Sequence, residues 1–215
     1  NSVDHLNVTI ASNATDFGDL TEANRKSAAA GAVTRFIRWG GETPSAVNTC
    51  DFANPFNAGN FTDFGDLTAT GQTTNTAHTN NVFAVGASGQ GSANANLNRM
   101  TVATQGNAAQ FGDATRNLTW SSGGGNRTRF LTAGIYPQAN TIDIKSMATD
   151  GDSVDFGDLS SNKWGIGTAS DTTRAVFCGG SDPSHSDDIE FVTISTAGNV
   201  TDFGNLTAGS ADASV

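Results

Sequence analysis

Asp-Phe-Gly is the most chemically suggestive word in this sequence, because kinases use that triplet to hold magnesium. It stands at Asp16-Phe17-Gly18, Asp63-Phe64-Gly65, Asp155-Phe156-Gly157 and Asp202-Phe203-Gly204, and as Gln110-Phe111-Gly112. No glycine-rich nucleotide loop and no His-Arg-Asp word accompanies it. A word repeated at near-constant spacing is a structural device. Its aspartates are expected to bond nearby backbone amides at a strand-end turn.

The remaining polar groups offer little more chemistry. Ser181-Asp182-Pro183-Ser184-His185-Ser186-Asp187-Asp188 carries oxygen ligands of the kind calcium takes, but without the spacing of an EF-hand loop. A solvated loop is the expectation there. His5, His78 and His185 show no zinc or triad spacing, and no Gly-x-Ser-x-Gly or phosphate loop is present. Ser122-Gly123-Gly124-Gly125-Asn126 precedes a strand pattern rather than a helix, so it reads as a hairpin connection. Cys50 and Cys178 fall at different places in different units and are expected to be buried free thiols. Tyr136 follows Gly134 in a variable loop, where an aromatic ring can stack on a sugar. Trp39, Trp120 and Trp164 are expected to pack. The candidate recognition residues are therefore Tyr136, Asp182, His185 and Asp187. No catalytic, metal or cofactor site is expected.

The elements that would position these residues come from a repeat. Phe17, Phe64, Phe111, Phe156 and Phe203 are spaced 47, 47, 45 and 47 residues apart. Leu20, Leu67, Leu159 and Leu206 follow three places later, with Ala114 in the third copy. Gly59-Asn60, Gly106-Asn107, Gly151-Asp152 and Gly198-Asn199 hold one phase before the last four words, and Ser12-Asn13 holds it before the first. Gly-Asn suits a hairpin turn because both residues tolerate positive φ. Short apolar runs ending in glycine follow each of the first four phenylalanines by about 18 residues: Arg35–Gly41, Asn81–Gly86, Arg129–Gly134 and Arg174–Gly180. Alternating runs come next, clearest in Ile189–Ile194 and matched by Leu6–Ile10 and Ile142–Met147.

Each unit thus predicts four strands: a small-residue strand A, an apolar strand B, an alternating strand C, and a strand D carrying the repeated word. Four antiparallel strands per unit of about 47 residues make an all-β propeller of about five blades. One Phe and one Leu per strand D would fill the gap between neighbouring blades. Full blades are expected at 21–67, 68–114, 115–159 and 160–206. Residues 1–20 would give strands C and D of a blade shared between the termini or left incomplete, with 207–215 as its closure segment. The variable B–C loops at 42–48, 87–96, 135–141 and 181–188 would share one face, the natural place for recognition.

Composition narrows the partners. The 215 residues carry a net charge of −10 with 15% charged residues, a sign that repels nucleic acid. No apolar run approaches 18 residues, so no membrane insertion is expected. No signal peptide is visible, and the start at Asn1 rather than Met points to processing or to a longer parent chain. Seven Asn-x-Ser/Thr triplets occur, several inside the repeated word, so the repeat itself generates them.

The unit resembles the kelch repeat, with Gly40-Gly41 and Gly179-Gly180 keeping its diglycine. It is more similar to kelch-like repeat proteins of the virions and tail fibres of marine tailed bacteriophages, the cyanophage type. The stretches that carry this likeness are Val8-Thr9-Ile10 through Asn13–Thr21, and Phe191–Ile194 through Gly198–Thr207. The resemblance implies a non-enzymatic virion structural protein: a fibre, appendage or capsid decoration at the particle surface. Its partners would be other virion proteins, in multiple copies within a larger assembly, and a host surface glycan, for host attachment. A carbohydrate-binding propeller lectin is the alternative. A glycan-active enzyme ranks lowest, since it needs paired carboxylates in a cleft.

Overall fold

Alternation and turn chemistry recur along the chain, and the structure, a computed structural model, turns them into strands. It describes residues 1–70, 76–87 and 95–211. Among these, β1 (Ser2–His5) and β2 (Thr15–Asp19) form a two-stranded sheet. The first full sheet holds β3 (Ala28–Gly31), β4 (Phe36–Glu42), β5 (Ala46–Ala53) and β6 (Thr62–Asp66). The second holds β7 (Ala77–Thr79), β8 (Phe83–Ala87), β9 (Asn96–Thr101) and β10 (Ala109–Asp113). The third holds β11 (Ser122–Gly125), β12 (Arg129–Ala133), β13 (Ala139–Ser146) and β14 (Val154–Lys163). The fourth holds β15 (Gly167–Ser170), β16 (Arg174–Cys178), β17 (Asp188–Thr193) and β18 (Thr201–Asn205). All pairings are antiparallel and follow chain order. The chain is an all-β propeller with four complete blades among the described residues.

Strand A is innermost: β3 packs on β7, β7 on β11, and β11 on β15. Small side chains are what this crowding requires. A Cβ on Gly124 would press on Thr168 of the next blade, while Ser170 Oγ bonds both the amide and the carbonyl of Gly125 at 2.8 Å.

The repeated word is a β-bulge. Gly65 pairs with Cys50 and Asp63 with Asp51, so Phe64 between them has no partner in the ladder. The same slip recurs at Phe17, Phe111, Phe156 and Phe203. The glycine after each phenylalanine has φ between +127° and +154°, which favours glycine. An aspartate holds four of the five bulges: Asp16, Asp63, Asp155 and Asp202 accept the glycine amide at 3.0–3.1 Å. The first four bulges re-aim their phenylalanine toward the next blade. Phe64 and Leu67 pack with Ala84, Met100 and Val102. Phe111 and Ala114 pack with Phe130 and Met147, and Phe156 and Leu159 with Val192 and Ile194. Burying one such phenylalanine contributes about 1.5–3 kcal/mol.

Several details differ from the sequence-based expectation. The fifth blade position holds only β1 and β2. Residues 207–211 form no strand, because they turn back over the fourth blade's own B–C loop: Ser210 accepts from the Gly180 amide at 2.7 Å and donates to Ser186 at 3.0 Å. Residues 212–215 of the expected closure segment lie outside the described residues. Strand C of the first unit is Ser2–His5, not Leu6–Ile10, which lies in an exposed turn. Gly86 pairs with Asn98, as Arg38 pairs with Asp51, so it stands two places before the Gly40 position. Residues 42–48 are mostly strand, with only a short turn between β4 and β5. Most of 87–96 lies outside the described residues.

Candidate functional site

Two sites emerge from the repeat: the seam between blades and the rim where the inner strands begin. At the seam, the Gly-Asn pair of each blade docks on the D strand of the blade before it. The amides of Gly59, Gly106, Gly151 and Gly198 donate to the carbonyls of Phe17, Phe64, Phe111 and Phe156 at 2.7–3.2 Å. Two residues on, the amides of Phe61, Ala108, Ser153 and Val200 donate to the carbonyls of Asp19, Asp66, Asp113 and Asp158 at 2.7–2.9 Å. The amides of those four aspartates in turn donate to the side-chain oxygens of Asn60, Asn107, Asp152 and Asn199 at 3.0–3.1 Å. The asparagines therefore act through their side-chain oxygens and not through positive φ; the only non-glycine residues with positive φ among those described are Lys26, Asn81 and Trp120. A further bond joins Thr68 to Asn98 and Thr115 to Asp143 across two of the seams. The Asp143 carboxyl titrates above its ordinary range because burial outweighs the bonds from Thr115.

The rim is built from backbone as much as from side chains. Lys26, Trp120 and Gly165 each stand two residues before an inner strand, with φ of 55°, 57° and 63°. In the first and fourth blades the residue before this left-handed bend bridges to the chain at the end of strand B, Arg25 to Glu42 and Trp164 to Ser181. Trp120 lies edge-on to Trp164 at 5.8 Å, and Trp164 lies edge-on to Tyr136 at 6.1 Å. Lys26 Nζ sits 5.9 Å from the Trp120 ring, so a side chain of the first blade reaches the third. Tyr136 is 50% exposed and is tied down by its amide, which donates to the Thr119 carbonyl at 2.8 Å. Glu42 completes the rim, meeting Arg25 at 2.7 Å and Lys26 at 3.0 Å. Hydrogen bonds from Arg25 and then Lys26 hold its carboxyl below the ordinary carboxylate range, so it stays ionised.

Of the candidate recognition residues, Tyr136 joins this cluster directly. The 181–188 loop is anchored to the same tryptophan through the backbone, Ser181 pairing with Trp164 at 3.0 and 3.4 Å. Asp182, His185 and Asp187 are exposed on that loop. Asp188 is engaged: its carboxylate meets Lys163 at 2.7 Å and Ser186 at 2.8 Å, contacts that lower its pKa. Glu190 approaches the same Lys163 at 3.3 Å, so the two carboxylates that converge here share one ammonium group. Among the described residues, no three His, Cys, Asp or Glu side chains are grouped to hold a metal. Cys50 and Cys178 are free and buried. No helix among the described residues is long and apolar enough to cross a membrane.

Trp120, Trp164, Lys26 and Glu42 were not legible as rim residues. The rim is organised by the bend at Lys26, Trp120 and Gly165, which Lys, Trp and Gly adopt without a common residue type to announce it. The Asn/Asp half of the seam had a signal, since a side-chain carbonyl or carboxylate follows the glycine slot in all five copies. No protein-family model matches the chain, and no curated protein matches it.

Proposed function

We propose that this chain is a non-enzymatic structural protein of a bacteriophage particle, displaying its propeller at the virion surface for assembly and for attachment to a host surface glycan. The observation that carries the reading is Tyr136 standing edge-on to Trp164, with Trp120 behind and Lys26 above. Half-exposed rings beside fixed charges suit the apolar faces and hydroxyls of sugars. The likeness of the repeated word to cyanophage virion and tail-fibre repeats supports the same reading. So does the net charge of −10, which suits a partner other than nucleic acid. In the assembled particle the propeller counts about five blade positions, the fifth begun by β1 and β2.

A propeller lectin would repeat its pocket in each blade. Here Lys26 and Gly165 hold the places that match Trp120, which favours one attachment site over a ring of them. The test is a glycan array that includes bacterial surface polysaccharides, followed by titration of the best ligand. Tyr136→Ala and Trp164→Ala should each weaken binding by about tenfold, or ~1.4 kcal/mol. An array with no binding would refute the attachment role. Absence of the chain from purified particles, checked by mass spectrometry, would refute the virion role.

A further inference from the structure

Four seams join consecutive blades, and each is made from the same two halves. One half is the D-strand word: the bulged Phe, the Gly, the residue after it, the Leu and the following Thr or Ser. The other half lies on the next blade: the Gly-Asn turn and the apolar residues that end strand C. In the last internal seam these are Val192 and Ile194, 3% and 0% exposed against Phe156, itself 4% exposed.

Among the described residues, each half also occurs once without a partner. At the C-terminal end, Phe203 is 58% exposed and a Cβ on Gly204 would meet nothing within 4 Å, whereas at Gly18, Gly65, Gly112 and Gly157 it would collide with the next turn. At the N-terminal end, Asp4 pairs with Asp16 as Glu190 pairs with Asp202. That register makes Leu6 and Val8 the counterparts of Val192 and Ile194, and they are 58% and 90% exposed. Asn13 is exposed in the place of Asn199. Ser12 has room in the glycine slot, because a Cβ on Gly59, Gly106, Gly151 or Gly198 would meet nothing within 4 Å; Gly59 fills the slot without positive φ, whereas Gly106, Gly151 and Gly198 have φ of 149°, 122° and 156°.

We propose that the Phe203–Thr207 edge of one chain docks on the Leu6, Val8 and Ser12–Ala14 face of a second copy, remaking the internal seam between molecules. The Ser12 and Ala14 amides then donate to the carbonyls of Phe203 and Asn205. The Asn205 amide donates to Asn13 Oδ1, and Thr207 faces Asp4. Asn205 replaces the usual Asp at no cost, since this position bonds through its backbone. A second copy is the occupant because four internal seams already show the fit, and because residues 207–211 turn back over the fourth blade instead. The contact is head-to-tail, so it propagates or closes into a ring of chains.

The test is light scattering on the 1–215 chain from about 1 to 100 μM, where such an interface should register. The mass should rise in whole multiples of the chain. Val8→Asp, at a 90% exposed site, should remain monomeric with an unchanged circular dichroism spectrum, and Phe203→Asp should match it. Mixing an Asn13→Cys chain with an Asn205→Cys chain should give a disulfide-linked pair. A mass that stays monomeric throughout would overturn the proposal. So would a doubly substituted chain that cross-links to itself as a monomer when dilute, because the ring would then close within one molecule. Neither result bears on glycan binding at Tyr136.

Discussion

Gly18 and Gly59 stand face to face across the first seam. The Gly59 amide donates to the Phe17 carbonyl at 2.7 Å, and the Gly59 oxygen fills the space a Cβ on Gly18 would need. The same close approach recurs between Gly65 and Gly106, Gly112 and Gly151, and Gly157 and Gly198. The glycine of the repeated word thus has two reasons to be glycine: its positive φ and its neighbour's backbone.

Substitution at the second seam separates these terms. Asn107→Ala removes one side-chain acceptor from the Asp66 amide and should cost about 1 kcal/mol. Gly65→Val meets both the conformational and the steric barrier and should cost about 3 kcal/mol or more. Denaturant unfolding of each variant gives the comparison.

The phenylalanines give a second contrast. Phe64→Ala empties a buried seam and should cost about 3–5 kcal/mol. Phe203→Ala alters a ring that is 58% exposed in the isolated chain and should cost under about 1 kcal/mol at dilute concentration. Equal losses in thermal unfolding would show that the two ends are not as different as their exposures state.

Arg38 and Asp51 form a buried pair inside the first blade, with Asp51 Oδ2 2.7 Å from Nη2 and 3.0 Å from Nε. Asp51→Ala leaves that guanidinium without its main partner and should cost about 3–5 kcal/mol. Replacing both, as Arg38→Met with Asp51→Leu, should recover most of the loss. The check is a double-mutant comparison by urea unfolding.

His78 gives the stability a pH dependence. Burial lowers its pKa below the ordinary 6.5, although its Nε2–H donates to the Asn126 carbonyl at 3.1 Å. The unfolded chain therefore takes up a proton first as pH falls. Its contribution is complete above pH 6.5 and is lost as pH falls from there through the lower folded value. His78→Phe preserves stacking on Phe130 and should flatten this part of the profile, measured as melting temperature between pH 7 and 5.

Burial pushes the Cys50 thiol up to about 12 and raises that of Cys178 as well. Neither thiolate forms readily at neutral pH. A thiol reagent should label neither cysteine in the native protein at an appreciable rate, and both after unfolding.

The repeat and its four-strand unit were legible because Phe17, Phe64, Phe111, Phe156 and Phe203 keep one phase through every change around them. The bulge at each of these residues was not legible, since an unpaired residue leaves no mark on strand alternation. The partner of Asn60 was hidden for a different reason: it lies 41 residues away, at Asp19. Leu6, Val8 and Ile10 alternate as a strand would, yet lie in a turn, because periodicity reports a face to be covered and not what covers it. Tyr136 was legible as an exposed aromatic beside a glycine. Its neighbours Trp120 and Trp164 are set by a backbone bend, at Trp120 itself and at Gly165, that has no fixed residue type.

The central claim is that the repeated word joins blades by a backbone seam, and amide hydrogen exchange reads that seam directly. In dilute solution the amides of Asp19, Asp66, Asp113 and Asp158 should be protected together, as should those of Gly59, Gly106, Gly151 and Gly198. The Asn205 amide, at the equivalent place with no following blade among the described residues, should exchange much faster. Asn205 protected to the level of Asp158, or the four internal aspartates exchanging as fast as Asn205, would contradict it.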